Sequence, residues 1–355
     1  MPMGGELGLG VDIFLKPLVN DRFMPYNKKH HVLVDTGRSA LYLALLGIIQ
    51  QGGAKEAWLP RYCCDSIVLP FYQLGFAIHY YSMGGNLRKP AMLPYRINKG
   101  TFLFINYFGK KNGPIIKWLT EQSRYEDSFF IIEDNVQASL STNLGQWGDF
   151  IINSYRKFLP QPDGALLAYD QPINFKLGQP DETFISAKLS AKLIRENRGS
   201  PESFLELLEQ AENTIDYRVE PRAMSFLSRF IGARTDISEI SGIRRRNWIY
   251  LQGLLASRKV LTGNITALFD ELEDGEVPLG FPIKTNPEHR HRLRRFLSRH
   301  SIYCPVHWPL SVNNEESAFK DDLCLSRSIL TLPLDQRINE ADLDYLVDKL
   351  AFFYG

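Results

Sequence analysis

Short, continuously apolar runs recur through the first half of the chain and alternate with stretches of helical spacing. Glu56 to Pro60, Phe76 to Tyr81, Thr101 to Asn106, Phe129 to Glu133, Phe150 to Ser154 and Ala165 to Tyr169 are too short for helices and too uniformly apolar for strands with one wet face. They read as central strands of a mainly parallel sheet, and helical segments separate the first five, which is an α/β signature. Residues 1–30, rich in Gly, Pro and Asn and without periodicity, read as an irregular arm that crosses to a partner subunit. From Asp181 to Arg258 the pattern is strand-poor and charged on one face, with Arg244-Arg245-Arg246 inside it, and predicts a helical connection out of the sheet domain. After Gly263 short elements resume, with strands expected at Val277 to Ile283, Ser301 to His307 and Ser328 to Leu332, and helices at Glu288 to His300 and Glu340 to Phe353. The expected architecture is an α/β fold with a mainly parallel central sheet flanked by helices, plus a smaller C-terminal α+β domain. The divisions fall at 1–30, 31–240 and 241–355.

Composition narrows the class without naming a chemistry. A chain of 355 residues can bury a large core and form one large and one smaller domain. A net charge of +1 gives no global reason to expect nucleic acid or an anionic membrane, so any anionic ligand has to be bound locally. No apolar run has the length to span a bilayer and the N-terminus shows no charged leader, from which a cytoplasmic location is expected. The four cysteines form no CxxC pair, and the spacing of Cys63 and Cys64 to His307 fits no zinc pattern; reduced thiols and no metal are expected.

Two strand ends carry the candidate chemistry. One strand runs into Glu133-Asp134-Asn135-Val136-Gln137 and the other into Asn153-Ser154-Tyr155-Arg156-Lys157, which puts a carboxylate and an amine at one edge of the sheet, where parallel sheets present functional residues. That pair suits pyridoxal phosphate (PLP): the lysine forms a Schiff base with the aldehyde, while the carboxylate keeps the ring nitrogen protonated. The competing reading is that Asp134 caps the following turn and Lys157 is a solvated strand-end lysine. Near the start, Asp35-Thr36-Gly37-Arg38-Ser39 precedes an apolar helix, and Gly37 and Ser39 are candidates for a phosphate, unless Thr36 or Ser39 is simply an N-cap. Ser154 is a second candidate donor to the same phosphate.

An ordered set of residues extends this reading: Gly37-Arg38-Ser39-Ala40-Leu41, Leu59-Pro60 with Tyr62, Gly75 before a strand, Tyr107-Phe108-Gly109, Glu133-Asp134 with Gln137-Ala138, Gly148-Asp149, Ser154 with Lys157, and Gly164-Ala165. Arg245-Arg246-Asn247, Leu330-Thr331-Leu332-Pro333-Leu334 and Asn339-Glu340-Ala341-Asp342 continue it. The set resembles the DegT/DnrJ/StrS sugar aminotransferase family over roughly residues 30 to 353. The resemblance implies a fold-type-I PLP enzyme related to aspartate aminotransferase, working as a homodimer with sites at the subunit interface. It implies transfer of an amino group from an amino acid such as glutamate to a keto sugar, commonly nucleotide-linked, in polysaccharide or secondary-metabolite biosynthesis.

Carried onto this sequence, the resemblance makes Lys157 the internal aldimine lysine and proton shuttle and pairs Asp134 with the pyridine nitrogen. Gln137 lies near the ring and its phenolic oxygen. Gly37, Arg38 and Ser39 hold the phosphate with Ser154. Several positions depart from the family. The interval from Ser154 to Lys157 is shorter than usual, and the ring-stacking position falls on Cys64, with Tyr62 two residues earlier as the other candidate. Arg38 replaces a small residue or threonine and either reaches a substrate anion or is solvated. An asparagine that relatives supply from the neighbouring subunit is matched most nearly by Asn213 or the Asp216-Tyr217-Arg218 turn. The basic helix around Arg290 to Arg299 either contacts a nucleotide phosphate or is a solvated face, and His307 is either substrate-side or structural. Three alternatives stay open: a PLP-dependent sugar dehydratase, a class in which histidine replaces the lysine; a non-catalytic PLP-binding regulatory protein; and a sugar-nucleotide-binding or dinucleotide-binding α/β protein without PLP, for which no GxGxxG follows the first strand.

Overall fold

The computed structural model describes all residues except 1, 20–24, 94–98, 122–128, 217, 219 and 311–316. In chain order its strands are β1 (Met3–Gly4), β2 (His30–Val34), β3 (Glu56–Pro60), β4 (Ala77–Tyr81), β5 (Gly100–Ile105), β6 (Phe129–Asp134), β7 (Phe150–Ser154), β8 (Ala165–Tyr169), β9 (Ile265–Ala267), β10 (Phe281–Thr285), β11 (Ile302–Tyr303) and β12 (Ile329–Leu332). The helices are α1 (Gly37–Gln50), α2 (Asp65–Gln73), α3 (Gly113–Glu121), α4 (Glu182–Glu196), α5 (Pro201–Ile215), α6 (Phe226–Ala233), α7 (Ile237–Ser257), α8 (Pro287–Arg299), α9 (Lys320–Ser328) and α10 (Glu340–Tyr354).

The large sheet has seven strands in the order β2-β8-β7-β6-β5-β3-β4. Strands β4, β3, β5, β6 and β7 pair in parallel, while β8 runs antiparallel to both β7 and β2. Two antiparallel steps restore the direction, so β2 ends at the same edge as β6 and β7. The register shows it: Ala165 pairs with Ser154 on one side and with Val34 on the other, and Asp134 pairs with Ile152. That geometry delivers the start of α1 to the strand ends that carry Asp134 and Ser154.

Helix α1 shows why the sequence folds this way locally. Thr36 caps it by accepting from the Ser39 N–H, and Leu41, Ala44, Leu45 and Ile48 recur at helical spacing and are buried. Each of the large side chains contributes about 1.5–3 kcal/mol by leaving water. The helix stops at Gln51, followed by Gly52 at φ +78°, a left-handed position that suits glycine. Helix α7 then joins the sheet to the C-terminal region. Trp248 packs on Phe281 with ring centroids 4.4 Å apart, and the buried Arg244 donates to the carbonyls of Pro278 and Leu279 while its guanidinium lies over the Phe158 ring.

Most expected strands lie within a residue or two of their predicted places, and two differ for physical reasons. The strand expected at Val277 to Ile283 begins at Phe281: Val277 N–H is bound by Ser141 Oγ, and Pro278 has no N–H to give. The strand expected at Ser301 to His307 shrinks to Ile302–Tyr303, because Pro305 interrupts it and Cys304 O is taken by Arg294. The domain boundary expected at 240/241 falls inside α7. In the arm, β1 pairs in parallel with β11 of the same chain, and β2 begins at His30. The part of the arm at 1 and 20–24 lies outside the described residues.

Candidate active site

Asp134 ends β6 and is buried. Its Oδ1 accepts one hydrogen bond, 2.8 Å from the Val136 N–H, and no cation pairs with it among the described residues. Burial therefore pushes its pKa up to about 7; the Val136 N–H and the Lys157 ammonium pull the other way and do not offset it. Lys157 is exposed at the end of the single helical turn Tyr155–Lys157 that follows β7. It is close enough to act electrostatically on both Asp134 and His307.

The other predicted residues gather at the same edge, though not all with a free hand. A Cβ on Gly37 would lie 3.2 Å from Val136 Cγ2 and 3.8 Å from Ser154 Cβ, so glycine lets the N-terminus of α1 press against both strand ends. Gln137 Oε1 accepts from the Phe108 N–H at 3.0 Å, with Phe108 held in the left-handed region at φ 55°, and Gln137 Nε2 has no partner among the described residues. Ser154 uses its backbone, with its N–H on Asn153 Oδ1 and its carbonyl accepting from Ser139 Oγ; its hydroxyl has no partner among the described residues. The Ser39 hydroxyl, by contrast, donates to Asp35 Oδ1 at 2.6 Å and accepts from Thr36 at 3.1 Å.

Two of the predicted residues are engaged by other parts of the fold. Arg38 is turned away from the seat at the start of α1: its Nη1 donates to the carbonyls of Ile215 and Asp216, and its Nη2 lies 3.5 Å from the Asp216 carboxylate. A cation at the C-terminal end of α5 answers the partial negative charge there, which outweighs an open anion role. Tyr62 is fully enclosed, between Tyr107 and Trp308, with its hydroxyl donating to the His307 carbonyl, so it has no open face for a cofactor ring. Cys64 is the more accessible of the pair, at the N-cap of α2, with Sγ accepting from Ser66 Oγ at 3.1 Å.

Sequence reasoning missed the pair of Asp35 and Arg218. Asp35 is buried beside Thr36 and Ser39, and Arg218 forms ion pairs with both Asp35 and Asp181, bringing a cation to the start of α1 from the same chain. The sign was an acid directly before a phosphate-type turn. Within the turn named as a contribution from a neighbouring subunit, Asp216 and Arg218 sit at this chain's own α1, and Tyr217 lies outside the described residues. His307 lines the same space as Lys157. Its Nδ1 lies 2.9 Å from Thr331 Oγ1, and burial together with the Lys157 charge pushes its pKa down to about 3, so the ring is neutral.

Beyond Lys157 and His307 opens a cavity of about 820 Å³. Its walls are Gly4 to Leu7 of the arm, Phe204, Leu205 and Leu208 of α5, Arg294 and Arg295 of α8, and the chain leaving β12. Arg294 and Arg295 have no carboxylate partner among the described residues.

No family model matches the sequence, and no curated protein matches it. Solved structures do match. DesV from S. venezuelae, in complex with a ketimine intermediate, aligns with a TM-score of 0.64 at 18% identity, covering 99% of this chain and 91% of that one. The fold is that of the sugar aminotransferases. A DegT DnrJ EryC1 StrS aminotransferase from Brucella abortus shares this fold with a TM-score of 0.57 at 16% identity over 92% of this chain and 87% of that one. So does the E. coli GDP-4-keto-6-deoxy-D-mannose-3-dehydratase with bound hydrated PLP, with a TM-score of 0.61 at 16% identity over 92% and 88%. Among the described residues no helix is long and apolar enough to cross a membrane.

The residues at this edge of the fold suit pyridoxal phosphate. A buried carboxylate without a counter-cation matches a protonated ring nitrogen, the free Gln137 Nε2 matches a phenolic oxygen, and the crowded glycine beside a free serine hydroxyl matches a phosphate. Of the two serine hydroxyls, that of Ser39 has its proton committed elsewhere, to Asp35.

Proposed function

We propose that this protein is a PLP-dependent aminotransferase of the DegT/DnrJ/StrS family that moves an amino group from an amino acid such as glutamate to a nucleotide-linked keto sugar. The reading includes a homodimer serving polysaccharide or secondary-metabolite biosynthesis, parts that come from the resemblance alone, and a cytoplasmic location, which comes from the apolar pattern of the sequence. The observation that carries it is Asp134, a buried carboxylate lacking a counter-cation, faced by a lysine on the same sheet edge of a fold that sugar aminotransferases share.

When bound, PLP supplies an aldehyde that condenses with amines and a ring that draws electrons from the adjoining carbon. Asp134 would hold the proton on the ring nitrogen, and that cation would supply the charge partner its burial leaves wanting. Lys157 Nζ would bind the aldehyde and, once displaced, take the proton from the donor α-carbon and later return one to the acceptor carbon. Gln137 Nε2 would donate to the phenolic oxygen, Cys64 would pack against the ring, and Ser154 with the N–H groups opening α1 would receive the phosphate. His307, kept neutral, places no second positive charge beside Lys157. Arg294 and Arg295 supply the positive wall that a nucleotide-linked acceptor needs.

The likeness to a dehydratase structure does not decide between the two reactions, since both share the fold. Lys157 favours transfer, because the dehydratases of this family carry histidine there. Purification with PLP should give a yellow protein that borohydride reduces at Lys157 and that glutamate converts to the pyridoxamine form. If the wild type stays colourless and unlabelled, like Lys157→Ala, the reading fails; if it colours but ignores glutamate, it is a binding protein instead.

A further inference from the structure

The arm forms one wall of the cavity, and its attachment there is ionic and largely buried. Gly4 is pressed so closely on β11 that a Cβ would meet the Tyr303 carbonyl, at a left-handed φ of +74°. Arg337 donates to the carbonyls of Gly4 and Glu6 at 3.3 and 3.1 Å. The Glu6 carboxylate reaches Lys188 Nζ at 2.6 Å and Lys192 Nζ at 3.2 Å, two lysines four residues apart on one face of α4. Their side chains are 3% and 1% exposed, and lysines are that deeply buried only when paired. Lys188 also lies 2.6 Å from Glu212 of α5, and Glu212 lies 3.3 Å from Arg156, the residue preceding Lys157. A continuous relay of ion pairs therefore runs from the arm to the turn bearing the candidate catalytic lysine. Lys192 has no carboxylate but Glu6 among the described residues, its other contact being the Leu7 carbonyl at 3.2 Å.

We propose that Glu6 is a positioning residue for this site: it seats Gly4 to Leu7 as a cavity wall and, through Lys188, Glu212 and Arg156, holds the turn that carries Lys157. The kinetic consequence rests on reading the cavity as the acceptor site, whereas the geometric one rests on the ion pairs alone. Loosening the wall weakens acceptor binding without touching the proton transfers at Lys157, and it lets the turn that carries Lys157 open more often.

The test compares wild type, Glu6→Gln and the double variant Glu6→Gln/Lys192→Met, which removes the lysine left bare. In Glu6→Gln, deuterium labelling of the Phe158 and Leu159 amides, which close the turn onto the Tyr155 carbonyl, followed by peptide mass, should accelerate about fivefold through local opening. Acceptor KM should rise about tenfold with kcat within about threefold. The double variant should recover thermal stability while keeping the fast labelling and the raised KM. Unchanged labelling in Glu6→Gln, or a double variant restored in both labelling and stability, would overturn the proposal, since Glu6 would then only neutralise Lys192. Should Glu6→Gln fail to fold, Glu6→Asp keeps the charge with a shorter reach and must show the same labelling change at smaller amplitude. A wild type that turns over no acceptor sinks the aminotransferase reading, and the labelling comparison still decides this one.

Discussion

Glu133 and Asp134 are consecutive residues on one strand, and they face opposite sides of the sheet with opposite electrostatic fates. Glu133 is saturated: it accepts from the backbone N–H groups of Gly145, Trp147 and Gly148 at 2.7, 3.1 and 3.2 Å, and from the side-chain amides of Asn106 and Asn135. Asp134 receives a single backbone N–H. Both are buried, so burial does not distinguish them. What distinguishes them is whether the fold itself satisfies the charge. Glu133 organises the loop from Gly145 to Gly148 and leaves nothing to offer a ligand, while Asp134 carries an unmet need that a cationic ring nitrogen would answer.

The contrast is open to attack at several strengths. The largest effect belongs to the group that answers Asp134 across the site: Lys157→Ala should cut amine transfer by at least about a thousandfold. Its unfolding free energy should stay within about 0.5 kcal/mol of wild type, because the side chain is exposed. Next, Glu133→Ala should cost about 3–5 kcal/mol in urea unfolding, since it strands several buried donors, whereas Asp134→Asn should cost nothing at pH 7 in the cofactor-free protein and still cripple turnover. Equal destabilisation of the two variants would erase the contrast.

The pH dependence sharpens it further. Asp134 binds its proton more tightly folded, with a pKa of about 7, than unfolded, near 3.8. Its contribution to stability is therefore complete below about pH 4 and is lost as pH rises through about 7, by up to roughly 4 kcal/mol. His307 runs the other way: folded near 3 and ordinarily 6.5, it contributes fully above pH 6.5 and loses that contribution as pH falls toward 3. Thermal melts of cofactor-free wild type and Asp134→Asn from pH 4 to 8 separate the two. The wild type should lose ground to the variant steadily up to about pH 7, and parallel curves would show that Asp134 is not the unsatisfied group. The smallest effect is expected at Tyr62→Phe, which removes the donor to the His307 carbonyl and should cost about 1 kcal/mol while leaving cofactor binding intact.

Much of this was legible in one dimension because buried parallel strands demand continuous apolar runs, and those runs end where the functional residues begin. Asp134, Gln137, Ser154 and Lys157 could be placed on one edge from such runs alone. Arg38 could not be assigned: a cation beside a helix start looks the same in sequence whether it meets a ligand or, as here, the end of a helix about 180 residues downstream. Tyr62 was equally ambiguous, since its enclosure depends on Tyr107 and Trp308, which arrive from distant elements. The arm, without periodicity, gave no sign that Glu6 would meet Lys188 and Lys192.

The sequence by itself determined the strands, their parallel character, and the carboxylate and lysine at their ends, because local apolarity and strand length decide which segments are buried on both faces. Only the tertiary structure decided which charges are answered by the fold and which are left for a ligand. That is a matter of distances between residues far apart in the chain, and those distances separate Asp134 from Glu133, Arg218 from Arg38, and the walled cavity from the surface around it.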